Sequence, residues 1–189
     1  MTRWKPNAPE RLAAAALDLF EEHGYDSTTV SQITERAGLT KSSFFRHFTD
    51  KREVLFDGAT MTRVLVEGIE DAPDDVTALD TLTRAFLKTG EAILTPERRD
   101  FLARRSAVIR RTPELQEREA LKELGLIAAL SDALQRRGVP ELTARVVAEL
   151  GALAFAIAYD QWLEPGSTDN FDAIVRRAVG DVRAVGVTL

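Results

Sequence analysis

The stretch TERAGLTKSSFFRHFTDK, Thr34 to Lys51, sets a glycine, three phenylalanines, a histidine and several basic residues between two helix starts. Thr40 is a helix N-cap residue, Phe44 and Phe48 lie four apart and so face the same way, and Lys41, Ser42 and Ser43 fill the first turn. Upstream, Thr29 and Gln32 read as a capping box before the periodic apolar residues Val30, Ile33 and Ala37, and Gly38 closes that short helix. Two short helices joined by a tight glycine turn, the second with small polar residues at its exposed start and aromatics facing inward, predict a helix-turn-helix. Its second helix would enter a DNA major groove. Lys41 can donate to guanine O6 or N7 there, and the hydroxyls of Ser42 and Ser43 suit either kind of base. His47, Lys51 and the amide end of the next helix would meet phosphates.

Working outward, Leu12, Ala15, Ala16, Leu19 and Phe20 recur at helical spacing before Gly24, which predicts a first helix. Asp50 to Glu53 reads as another capping box, opening a fourth helix to about Asp71. Pro73 marks a joint. Further helices are expected over about 76–94, from Pro96 to Arg111, from Pro113 to Arg137 with Gly138 as cap, from Pro140 to about Glu164, and from Asn170 or Phe171 to about Val185. No β alternation, internal repeat or low-complexity tract interrupts them. The expected fold is all-α with about nine helices: a helix-turn-helix head over residues 1–55 and a larger helical ligand-binding and dimerisation body over residues 56–189.

Composition narrows the function. The chain has 189 residues and a net charge of −5, yet acids and bases balance between Met1 and Leu55, so the negative charge lies in the remainder. Lys41, Arg46, His47, Lys51 and Arg52 cluster within that neutral head, as a basic face requires. There is no cysteine, and the two histidines, His23 and His47, stand in no metal-ligand spacing, so neither a metal nor a cofactor is expected. The absence of thiols suits a reducing cytoplasm. No nucleophile–base pair or phosphate loop points to an enzyme. No apolar run approaches the length of a membrane span, and Met1 to Glu10 is too polar for a signal peptide, so no membrane partner is expected. A ligand-binding or scaffold protein with a merely structural helix-turn-helix is the alternative to a DNA-binding regulator.

From Thr28 to Leu55, TTVSQITERAGLTKSSFFRHFTDKREVL resembles the DNA-binding head of the tetracycline-repressor-like (TetR) family. The resemblance covers about the first third of the chain. It implies a homodimeric, ligand-responsive repressor released from a palindromic operator by a small molecule. It also implies phosphate contacts from Thr29 and Ser31 at the start of the second helix and from His47 and Lys51, with Lys41, Ser42 and Ser43 reading bases. Thr34 stands where the family usually has alanine, Ser42 where glycine is frequent, and Phe45 where tyrosine is usual. Phe45 lacks the hydroxyl that would bond a phosphate, while its ring can still touch a sugar or a thymine methyl. Phe101 to Leu115, FLARRSAVIRRTPEL, more faintly resembles an actinobacterial branch that binds acyl-CoA-like ligands.

Two features of the body carry further expectations. On a helical wheel Arg105 is centred on the apolar stripe of Phe101, Leu102, Val108 and Ile109. It either pairs with a carboxylate of a neighbouring helix or receives the charged end of an anionic amphipath such as an acyl-CoA, with Phe86, Phe101, Ile109 and Trp162 as apolar lining. The helix before Pro165 is apolar over far more than the roughly 100° arc that a surface helix needs. Its excess, with the apolar last helix, predicts a four-helix dimer interface through Leu150, Gly151, Ala154, Ala158, Val175, Ala178 and Val182.

Overall fold

The computed structural model describes residues 7–56 and 58–188, and among them it contains helices and no strand. The helices are α1 (Ala8–His23), α2 (Val30–Arg36), α3 (Lys41–Phe45), α4 (Gly58–Glu70), α5 (Ala78–Ala92), α6 (Pro96–Arg110), α7 (Pro113–Arg136), α8 (Glu141–Leu163) and α9 (Phe171–Thr188). The all-α expectation holds. One boundary differs: the Asp50 carboxylate caps the amides of Arg52 and Glu53 as expected, but the element it opens is a 3₁₀ turn, Lys51–Leu55, and α4 begins separately. The Glu53 carboxylate pairs with Arg118.

The chain forms two compact units. The first takes in the residues up to Phe56 together with Phe101–Glu119; the second holds residues 58–100 and 120–188. In the first unit Leu12, Leu17 and Phe20 of α1 meet Ile33, Phe44 and Leu55 in one buried cluster, which Val108, Ile109 and Leu115 complete. Arginines of the same late segment bind the early helices. Arg104 donates to Asp18 at 2.6 Å and to Glu21, Arg111 to the Phe20 carbonyl at 3.4 Å, and Arg118 pairs with Glu53. The hydrogen bonds to Glu21 and Asp18 hold the Arg104 pKa above its ordinary value.

In the second unit α5 packs against α4, α8 and α9. Gly151 of α8 is what lets α5 come close, since a Cβ there would overlap Leu82. This corrects the expected dimer face. Gly151, Ala154 and Ala158, with Val175 and Ala178 of α9, are buried inside the unit itself. The exposed part of α8 is instead a stripe of larger residues, Leu142 (75% exposed), Val146, Leu150, Leu153 and Ile157. The broad apolar arc is two faces side by side: small residues turned inward for close helix packing, larger ones turned out. The same excess gives the 23-residue α8 an 18-residue window of mean hydropathy 1.5, long and apolar enough to cross a membrane by length and composition alone. Its alanines contribute to that value, while the buried ones, with Gly151, let the helix pack closely inside the unit.

Candidate nucleic-acid interface

The turn between α2 and α3 is built from local signals. Thr29 Oγ1 accepts from the Gln32 amide (3.3 Å) and the Gln32 side chain accepts from the Thr29 amide (2.8 Å), the reciprocal capping box. Gly38 has φ +63°, a conformation that side chains resist. This lets the Leu39 amide reach back to the Thr34 carbonyl at 2.8 Å, while Arg11 caps the Ala37 carbonyl. Thr34, in an alanine-like setting, is buried and donates its hydroxyl to the Ser31 carbonyl at 2.9 Å, so no polar group is stranded. Thr40 Oγ1 caps the Ser43 amide at 3.1 Å and starts α3.

On α3 and the turn that follows it the faces divide cleanly. Phe44 is fully buried, with Phe48 half-buried beside it at 5.4 Å between ring centroids, while Lys41, Ser42, Phe45, Arg46 and His47 are exposed. Ser43 departs from its expected place as a base reader. It is only 9% exposed, and its hydroxyl bonds Thr40 Oγ1 (3.2 Å) and accepts from Arg46 (3.0 Å). Arg46, read from the sequence only as part of the basic cluster, joins the candidate contacts, and its guanidinium is oriented by its hydrogen bond to Ser43. Among the described residues no carboxylate pairs with Lys41 or Arg46, whereas Arg36 and Arg52 are tied to Glu22 and Asp50. Unneutralised cations on the exposed side of a helix-turn-helix suit a polyanion.

The expected phosphate contacts are placed more unevenly. Ser31 and His47 are exposed; Thr29 is exposed too, but its hydroxyl already serves Gln32 at 2.9 Å. The amide end at Lys51 is filled by Asp50, whose pKa is held low chiefly by the hydrogen bond from Arg52, so it offers no anion site. Lys51 is a half-buried clamp. Its ammonium donates to the carbonyls of Tyr25 (2.7 Å) and Thr28 (3.0 Å) and lies 3.9 Å from the centre of the Tyr25 ring. Burial pushes the Lys51 pKa down and raises that of Tyr25 to about 12. Lys51→Met should therefore cost about 1–3 kcal/mol of stability by stranding two carbonyls, in addition to any phosphate contact it removes. Thermal melting tests this: an unchanged Tm with weakened DNA binding would leave Lys51 a phosphate ligand only.

The residues expected to line a ligand site are divided between the two units. Phe101, Arg105 and Ile109 belong to the first unit, Phe86 and Trp162 to the second. Arg105 donates from Nε to the Leu55 carbonyl at 2.7 Å, reaches Glu119 at 3.4 Å and stacks over Phe56, which matches the pairing alternative of its sequence reading. Ile109 is fully packed in the first core. In the second unit Phe86, Phe155, Phe171 and Trp162 form a chain of aromatic contacts with centroids 5.1–6.0 Å apart. A cleft of about 250 Å³ lies against Trp162, Phe171, Leu94 and Gly90.

Residues 12–57 match the family of bacterial regulatory proteins described as the tetR family. The HTH-type transcriptional repressor AcnR of Corynebacterium diphtheriae is 28% identical over 136 residues, which span 67% of this chain and 63% of AcnR. Two solved structures share the fold. The SmeT–triclosan complex superposes with a TM-score of 0.65 at 20% identity, over 94% of this chain and 90% of SmeT. FadR of Bacillus subtilis in complex with stearoyl-CoA gives 0.62 at 17% identity, over 91% of this chain and 96% of FadR. The helix-turn-helix geometry, the match over residues 12–57 and the repressor relatives agree: residues 12–57 form a DNA-binding head like that of the tetR family of bacterial regulatory proteins, and the protein is a DNA-binding transcription regulator.

Proposed function

We propose that the protein is a cytoplasmic homodimeric repressor that holds a two-fold-symmetric operator and leaves it when a small molecule binds the second unit. The observation that carries this reading is the exposed face of α3 and the turn after it, where Lys41, Ser42, Phe45, Arg46 and His47 are exposed and, among the described residues, no carboxylate pairs with Lys41 or Arg46. Ser31 supports the phosphate side of the same contact. The division of labour assigns DNA to residues 1–55 and effector and partner to residues 56–189, with the segment from Phe101 to Glu119 also completing the fold of the first unit.

The aromatic chain from Phe86 to Trp162 supports an effector with a large apolar body, and the stearoyl-CoA held by FadR makes an acyl-CoA-like amphipath the first candidate. Arg105, whose Nε bonds the Leu55 carbonyl and whose Nη1 reaches Glu119, is assigned to the fold and not to the effector. A hundredfold release requires about 2.7 kcal/mol of differential binding to the two states.

Footprinting on DNA upstream of the protein's own gene tests the reading. Two protected half-sites centred about one helical turn apart are expected, and stearoyl-CoA should erase them. A footprint without two-fold symmetry would overturn the dimeric reading, and a footprint indifferent to acyl-CoA would overturn the effector class.

A further inference from the structure

The cleft of the second unit has an apolar floor of the buried Leu94, Trp162 and Phe171, and its walls carry two acids, Glu91 near the end of α5 and Asp172 in the first turn of α9. Gly90 brings the two together. A Cβ there would lie 2.7 Å from the Phe171 ring and 3.3 Å from an Asp172 carboxylate oxygen, so the bare glycine is what lets the start of α9 close onto α5 beside Glu91. Among the described residues neither carboxylate has an ion pair or a side-chain hydrogen bond. Arg99, the base 5.5 Å from the Trp162 ring centre, is committed to the carbonyls of Ser167 (2.8 Å) and Glu164 (3.2 Å). One solvated carboxylate is ordinary on a protein surface. Two that line the same apolar recess leave a charge there that the chain does not neutralise.

At about 250 Å³ the cleft lies at the small end of ligand sites, so it suits a compact molecule and not a nucleotide or a long acyl chain. Carboxylates on the walls select a positive charge, and an aromatic floor favours a ring, which packs on other rings edge-on or offset. We propose that this cleft is a binding site for a small aryl-alkyl ammonium, its ring on Trp162 and Phe171 and its charge between Glu91 and Asp172. The phosphates of an acyl-CoA would be repelled by the same two acids. This ligand is therefore distinct from the effector proposed above, and either reading can fail alone.

The test titrates 2-phenylethylammonium into the full chain carrying Trp4→Phe, which leaves Trp162 as its one tryptophan. The isosteric anion 3-phenylpropionate is the control. The cation should change Trp162 fluorescence saturably at about millimolar concentration and raise the Tm, and the anion should bind about tenfold more weakly or not at all. Glu91→Gln and Asp172→Asn should each weaken the cation about three- to fivefold, the loss expected for a partly solvated ion pair. Glu91 is exposed, so Glu91→Gln should keep the wild-type Tm in the absence of ligand and remains informative even where Asp172→Asn disturbs the start of α9. No saturable change in fluorescence or Tm, equal affinity for cation and anion, or a Glu91→Gln protein that binds the cation as the parent does would overturn the proposal.

Discussion

Leu115→Ala is expected to abolish DNA binding, although the residue lies far beyond the helix-turn-helix in sequence. Leu115 has no exposed surface and belongs to the same buried cluster as Phe20 and Phe44, the latter being the inward anchor of α3. Truncating a buried leucine to alanine costs about 2–5 kcal/mol, because the lost transfer energy is joined by an unfilled cavity. A domain of this kind holds only about 5–15 kcal/mol in total. The first unit should therefore lose α3 well before the second loses its packing. Melting followed by circular dichroism, alongside fluorescence anisotropy on a selected duplex, measures both effects. Full binding with an unchanged Tm would mean that the segment from Phe101 to Glu119 does not support the DNA-binding fold.

Leu153→Arg is expected to act through assembly alone. Leu153 is 52% exposed, within the stripe formed with Leu142, Val146, Leu150 and Ile157, whose steps of three and four residues keep one seam of α8 facing outward. A dimer formed through that seam would place two arginines in a dry contact, where unpaired charge is strongly unfavourable. Monomers should result with the fold intact, because the side chain is already outside the core. Linking two heads multiplies affinity by about 10²–10⁴, and the operator complex should weaken by that factor. Gly151→Trp serves as the contrast. It strikes Leu82 within the same chain and should unfold the second unit whether or not a partner is present. Sedimentation showing dimeric Leu153→Arg protein at micromolar concentration would move the interface to another surface.

The parts legible in the sequence are those decided within a few residues. Thr29 with Gln32, Thr40 and Gly38 each act on backbone groups one turn away, so their types and spacing suffice to place α2, α3 and the turn. Phe44 and Phe48 follow from helical period alone. What was not legible depends on residues distant in the chain. Lys51 is drawn inward by the carbonyls of Tyr25 and Thr28, Ser43 is turned to Thr40 and Arg46, and Arg105 is engaged by Leu55 and Glu119. A wheel drawn for α8 shows one broad apolar arc; only the position of Leu82 on α5 reveals that its small residues face in and its leucines out.

The account centres on the exposed face of α3 choosing among DNA sequences, and the ratio of two affinities tests that most directly. Full-length protein would be titrated against a selected two-fold-symmetric duplex and against a scrambled duplex of the same composition, both at a salt concentration of about 0.15 M, where exposed phosphate contacts are partly screened. Affinity for the selected duplex should be higher by about 10³-fold or more, the range in which base readout adds to backbone attraction. Equal affinity for the two duplexes would contradict the account, since it would leave Lys41, Ser42 and Phe45 with no sequence to read.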